Sequence, residues 1–223
     1  MRCANAVSVV ANPVTELLTR IVSGLVMIAI ALAAAVIGGT WFAVLVAAAA
    51  TMMYYEWSRI VRGWGFHWMV AGFGYALIPA LALLWIRERG AHKLEMLLWV
   101  FIVTWSTDIG AYFAGRTIGG PKLAPSISPN KTWAGLIGAM IAAGALGAAW
   151  ILYFDLPHLW LYLAPLFAVG AQMGDLFESG LKRRAGIKDS GSILPGHGGV
   201  LDRLDGLVVV ATLTVMVQLS GWL

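Results

Sequence analysis

Asp202 and Asp205 stand three residues apart, and Asp175 and Glu178 form a second acidic pair with the same spacing. On a helix, this spacing puts both members of a pair on one face. Between the pairs runs a set of bases, Lys182, Arg183, Arg184 and Lys188, and Arg203 sits inside the second pair. Clustered carboxylate oxygens suit a hard cation such as Mg²⁺, which keeps several waters and bridges substrate phosphates. The bases would repel a bare cation and attract an anion. Acid beside base therefore points to a metal–phosphate complex as the ligand. Pairing within the protein is the simpler reading for Glu178, four residues before Lys182. It accounts less well for Asp202 and Asp205.

Three further clusters could join this chemistry. The stretch 115–133, GRTIGGPKLAPSISPNKTW, is too rich in Pro and Gly to be helical. It offers Arg116, Lys131 and the Ser128 hydroxyl just before an apolar run, and a helix start there would favour a phosphate. A solvated basic loop is its simpler reading. Asp108 lies well inside an apolar segment, with Arg116 two turns further on. A charge in hydrocarbon costs at least about 2.5–3.5 kcal/mol, so it faces a polar cavity or a partner. His197 sits in the turn Pro195-Gly196-His197-Gly198-Gly199, whose glycines allow backbone to approach a ligand. The turn alone would explain it. Lys188 and Asp189 could form a simple ion pair, and Glu56 reads as an interfacial partner of Arg59.

The elements that must position these residues are apolar. The chain has 223 residues, 60% hydrophobic and 12% charged, and the stretch 179–205 holds eight of its 26 charged side chains. A soluble domain would be nearer a quarter charged. A spanning helix needs about 20 apolar residues. Seven runs qualify: 21–38, 40–57, 66–86, 94–115, 133–154, 159–177 and 206–222. The fold class expected is an all-α polytopic membrane protein with about seven transmembrane helices. Pro79 with Gly72 and Gly74 would split the third run into half-helices. Eight tryptophans, 41, 57, 64, 68, 85, 133, 160 and 222, fall near run ends as interface anchors. The first helix is read as retained rather than as a cleaved signal. Lys and Arg placement puts the N-terminus and the loops holding Arg59, Arg62, Arg116, Lys131 and 179–203 in the cytoplasm. The loop with Arg87, Arg89 and Lys93 runs against this pattern. The single cysteine, Cys3, excludes an internal disulfide. Nothing marks a second domain or nucleic-acid binding. The chain reads as one membrane domain, 1–223, with 1–93 its variable helices and 94–223 its catalytic part.

The run Ser179-x-Leu181-Lys182-Arg183-x4-Lys188-Asp189-x-Gly191-x2-Leu194-Pro195-x-His197-Gly198-Gly199-Val200-x-Asp202-Arg203-Leu204-Asp205 resembles the signature of the phosphatidate cytidylyltransferases, or CDP-diacylglycerol synthases. It matches without a gap. Asp108-x-Gly110-Ala111-Tyr112-x2-Gly115-Arg116, Ser128-Pro129-x-Lys131-Thr132-Trp133 and Gly174-Asp175 resemble further blocks of that family. Ala134 departs from it, since the family carries Glu or Gln there.

The resemblance implies the reaction CTP + phosphatidate → CDP-diacylglycerol + pyrophosphate, at an active site on the cytoplasmic face of the inner or plasma membrane. It implies Mg²⁺ held by Asp175, Asp202 and Asp205, with a second cation as an extension. Lys182, Arg183, Lys188 and Arg203 would hold CTP phosphates or pyrophosphate. Ser128, Lys131 and Arg116 would hold the triphosphate or the phosphatidate headgroup, and Asp108 and His197 join the substrate-binding set. Partners are the two substrates and the bilayer. Oligomeric state stays open, with a homodimer as one arrangement. A CTP-dependent polyprenol or lipid kinase is the near alternative, and an ion-coupled transporter the distant one.

Overall fold

The computed structural model describes residues 13–194 and 198–221. In hydrocarbon an apolar chain must satisfy its backbone internally, so long runs become helices. The order is α1 (Pro13–Ile37), α2 (Gly39–Ile60), α3 (Phe66–Glu88), α4 (Lys93–Thr117), β1 (Lys122–Ala124), β2 (Ser128–Thr132), α5 (Trp133–Tyr153), α6 (Leu159–Arg184) and α7 (Leu201–Leu219). Among the described residues, five helices are long and apolar enough to cross a membrane: Leu18–Ile37 of α1, then α3, α4, α5 and α6. This is fewer than the seven runs suggest. The reason lies in polar turns at helix ends. α2 closes on Tyr54, Tyr55 and Glu56, while α7 opens with Asp202, Arg203 and Asp205.

Consecutive helices run up and down, and contacts identify the two ends of the bundle. At one end, Arg87 donates from Nε to the Ala35 carbonyl (2.6 Å) and from Nη2 to that of Val36 (3.0 Å), while Glu88 accepts from Gly39 N–H (2.9 Å). Arg87 thus satisfies the last carbonyls of α1, where a cation is favoured. Trp150 Nε1 donates to the Glu95 carbonyl (2.9 Å), which brings the start of α4 and the end of α5 together. At the opposite end lie the close of α2, the segment between α4 and α5, and the α6–α7 junction. Every candidate site residue among the described residues belongs to this second end.

Several local expectations are corrected. α3 is one helix: Pro79 removes a single donor and is buried inside it, and the Trp57 indole fills the space beside Gly72. Trp57 and Trp160 are core residues, 2% and 1% exposed, rather than interface anchors. Trp160 packs edge-on to Trp99 at 5.0 Å between centroids. The stretch between α4 and α5 is a small antiparallel hairpin in which Lys122 pairs with Thr132. Thr132 then caps α5, its hydroxyl accepting from Gly135 N–H (3.0 Å). Gly110 and Gly138 let α4 and α5 touch backbone to backbone below the hairpin, since a Cβ on either would strike the other's carbonyl.

Candidate active site

α6 ends with Asp175, Glu178, Ser179 and Lys182 at positions i, i+3, i+4 and i+7, which align on one face. The facing turn of α7 carries Asp202 and Asp205. Lys182 joins the two helices: its Nζ lies 2.9 Å from Glu178 Oε1 and 2.6 Å from Asp202 Oδ1. The internal pairing read for Glu178 therefore extends to Asp202 as well. The second Asp202 oxygen accepts from Ser190 N–H (2.9 Å) and Gly199 N–H (3.0 Å), and the Ser190 hydroxyl, shared with Glu56, lies 3.0 Å from it. Gly199 stands three residues before Asp202, so this carboxylate reaches back over the first turn of α7 as a capping side chain does. Burial alone would raise the Asp202 carboxyl. Hydrogen bonds from Lys182, Gly199 and Ser190, with the Lys182 charge, outweigh it and hold the carboxyl below its ordinary value.

Glu56 enters this junction from α2. It is fully buried. Its Oε1 accepts from Val200 N–H (3.1 Å), and its Oε2 from Leu201 N–H (2.8 Å) and the Ser190 hydroxyl (2.9 Å). The expected pairing with Arg59 is corrected: Arg59 lies over the Tyr55 ring at 5.8 Å. The first N–H groups of α7 need acceptors, and Glu56 supplies them. Sequence reasoning missed this role, because Glu56 and Leu201 are 145 residues apart.

A second polar cluster adjoins the first. Lys131, at the end of the hairpin, reaches Asp175 Oδ2 at 2.5 Å and Gln172 Oε1 at 2.8 Å. These residues, with Asp108 and Tyr112, line a cavity of about 190 Å³ between α4, β2, α5 and α6. The charges of Lys131 and Arg203 act on Asp108. Arg116, next in the chain to Gly115 of that lining, donates to the Tyr112 hydroxyl (2.9 Å). Arg183 holds the hairpin turn, its Nε bonding the Ile127 carbonyl (3.3 Å). Ser128 is half-buried at the start of β2, and Lys188 is exposed in the α6–α7 loop. Arg184 packs over Trp64 at 4.4 Å. His197 lies outside the described residues.

The carboxylates bear on the implied cation. Asp108, Asp175, Glu178 and Asp205 lie close enough for their charges to interact, and Glu178 Oε2 is buried without a hydrogen-bond partner. Such a cluster suits an added positive charge. Asp205 suits that role, and Asp175 suits it once a cation displaces the Lys131 ammonium from its Oδ2. Asp202 fits it poorly as it stands, with Lys182, Ser190 N–H and Gly199 N–H already on its oxygens. Among the described residues, no three acidic, His or Cys side chains are set to hold a metal ion.

A second, apolar cavity of about 200 Å³ opens between α1, α2, α3, α4 and α7. Phe42, Val46, Ala50, Ala80 and Phe101 line it, and Arg203 contributes the charged part of its wall.

Residues 63–220 match the cytidylyltransferase family. The chain belongs to that family. The match takes in α3 to α7 and both polar clusters, but not Glu56. Among curated relatives, a phosphatidate cytidylyltransferase of Brucella suis is 47% identical over 171 residues, covering 76% of this chain and 62% of the relative. One of Rickettsia typhi is 37% identical over 201 residues, covering 86% and 87%. One of Bacillus subtilis is 47% identical over 128 residues, covering 56% and 48%. The chain thus spans about 62% of the length of the Brucella relative.

Proposed function

We propose that this family member transfers the cytidylyl group of CTP to phosphatidate, making CDP-diacylglycerol and pyrophosphate. The observation that carries the reading is the α6–α7 junction, where Lys182 is fixed between Glu178 and Asp202 beside the Asp175–Lys131 pair. It is supported by the family membership and by the names of the relatives. A phosphatidate oxygen attacks the α-phosphorus of CTP, and the bond to pyrophosphate breaks as the new P–O bond forms. Both reactants are anions, so the protein must neutralise charge and align them. Lys182, Arg183, Lys188 and Arg203 suit the triphosphate, and Lys131, Arg116 and Ser128 the lipid phosphate or the far end of the nucleotide. The nucleophile is the lipid phosphate, and no side chain has to become covalently attached. A divalent cation, when bound, would offset triphosphate charge, with Asp175 and Asp205 as its carboxylates.

In this reading all seven helices cross the membrane, α7 from about residue 206. The site end faces the cytoplasm: it carries Arg59, Arg62, Arg116, Lys131, Lys182 to Arg184 and Arg203, as the excess of Lys and Arg on cytoplasmic loops requires. Arg87 at the other end is engaged with the α1 carbonyls. The apolar cavity beside Arg203 would take one acyl chain of phosphatidate, with the headgroup at its charged end.

The deciding assay uses detergent-purified protein with labelled CTP and phosphatidate. CDP-diacylglycerol and pyrophosphate, formed only with a divalent cation, support the reading. CDP and a newly phosphorylated lipid alcohol would move the chain to the lipid kinases.

A further inference from the structure

Glu56 lies outside the stretch that matches the family, yet it touches the signature loop at both of its ends. Its three partners are all donors: the Ser190 hydroxyl, Val200 N–H and Leu201 N–H. Only a carboxylate offers acceptors to all three at once. The loop is also shaped around it. A Cβ on Gly191 would come within 2.5 Å of Glu56 Oε1, and one on Gly199 within 2.6 Å of Oε2. Two glycines of the signature thus leave the space that the Glu56 carboxylate occupies.

The contacts continue into the polar site. The Ser190 hydroxyl has one proton and lies 2.9 Å from Glu56 Oε2 and 3.0 Å from Asp202 Oδ2. Asp202 in turn holds Lys182 at 2.6 Å, and Lys182 reaches Glu178 at 2.9 Å. With that proton on Glu56, the Ser190 N–H still holds Asp202 Oδ2 at 2.9 Å, so Ser190 ties α2 and the loop to α7, and Lys182 carries the contacts on to α6. We infer that Glu56 is a positioning residue for the nucleotide half of the site: it docks the two loop stretches 190–191 and 199–201 so that Asp202 presents Lys182 to the triphosphate. The kinetic part of this inference rests on the proposed activity; the structural part does not.

The test compares Glu56→Gln, Ser190→Ala, the double variant and Glu88→Gln. Glu88 also accepts a backbone N–H, but at the opposite end of the bundle, so E88Q controls for a general loss of packing. In E56Q the amide presents N–H to N–H at one position while keeping the side chain's size. Expected is a fall in kcat/KM for CTP of about 10²-fold, the scale of a displacement of about 1 Å, with the KM for phosphatidate within about twofold. S190A should lose roughly tenfold, as for one hydrogen bond to a charged group. The double variant should be no worse than E56Q, because both changes cut one chain. Amide hydrogen exchange at Ser190, Gly199 and Leu201 should quicken in E56Q and not in E88Q. Wild-type CTP kinetics in E56Q would overturn the inference, as would equal losses for both substrates or losses that multiply with S190A. Should E56Q not fold, S190A alone decides by the same split between CTP and phosphatidate. If the wild type proves inactive on CTP, the exchange measurement still decides: unchanged protection in E56Q rejects the docking role.

Discussion

The Lys182 ammonium lies 2.6 Å from Asp202 Oδ1, on a side chain that α7 and the signature loop hold from the other side. Two helices that are neighbours in the chain are thus locked at the polar end of the bundle by one cation shared between two carboxylates, Asp202 and Glu178. All three side chains are nearly buried, so the pairing escapes most solvent screening.

Replacing Lys182 by Met should therefore cost stability as well as activity. It leaves Glu178 and Asp202 uncompensated in a buried setting, and breaking a buried pair by removing one partner costs about 3–5 kcal/mol. Adding Glu178→Gln should return much of the thermal stability in detergent but none of the CTP turnover. A double variant that regains turnover would show that Lys182 serves packing alone.

The carboxylates should separate by their response to Mg²⁺. Asp175→Asn and Asp205→Asn should raise the Mg²⁺ concentration needed for half-maximal rate, by roughly tenfold or more. Asp202→Asn should depress the rate at every Mg²⁺ concentration, because it frees Lys182 and the loop. A shifted Mg²⁺ titration in D202N would instead put Asp202 among the cation's ligands.

The apolar runs 94–115 and 133–154 foretell α4 (Lys93–Thr117) and α5 (Trp133–Tyr153) almost to the residue. Hydrophobic length alone sets them. The runs 159–177 and 206–222 fall short of α6 and α7, which gain polar turns at their facing ends. Those turns are helical because Lys182, Asp202 and Glu56 satisfy one another and the exposed N–H groups, and no local pattern encodes partners so distant. The clustering of Asp175, Lys182 and Asp202 was legible because acid and base recur at helical spacing in an oily chain. The Glu56 contact was not: a lone Glu closing an apolar run looks the same whether it meets water, Arg59 or a loop 134 residues away. The hairpin was hidden in the same way, since its pairing of Lys122 with Thr132 spans a stretch of Pro and Ser without alternation.

The bonds that Asp202 makes to the loop should survive acid to below the ordinary carboxylate range. Asp202 is held below its usual value, so its folded form binds a proton less readily than its unfolded form, about 3.9 in model peptides. Its contribution is complete above that unfolded value and is lost as pH falls through the lower folded one. Hydrogen exchange at Ser190 and Gly199, corrected for intrinsic rate, should be flat from pH 7 down to about 4 and rise only below it. Loss of protection between pH 7 and 5 would contradict the assigned bonding of Asp202.

The apolar cavity should read acyl-chain length. Ala50 is half-buried on its wall, and phenylalanine there would occupy much of a space of about 200 Å³. Overpacking a site that is open costs less than overpacking a filled core, where about 1–3 kcal/mol is usual, so Ala50→Phe should stay folded. Its kcat/KM should fall by at least about tenfold for long-chain phosphatidate and far less for a short-chain substrate. The difference arises because each buried methylene is worth about 0.8 kcal/mol, and a blocked cavity forfeits those that only a long chain can reach. The KM for CTP should move far less, since of the bases assigned to the triphosphate only Arg203 reaches the cavity wall, and Lys182, Arg183 and Lys188 lie outside it. An equal loss across chain lengths would place the acyl chains elsewhere on the bundle.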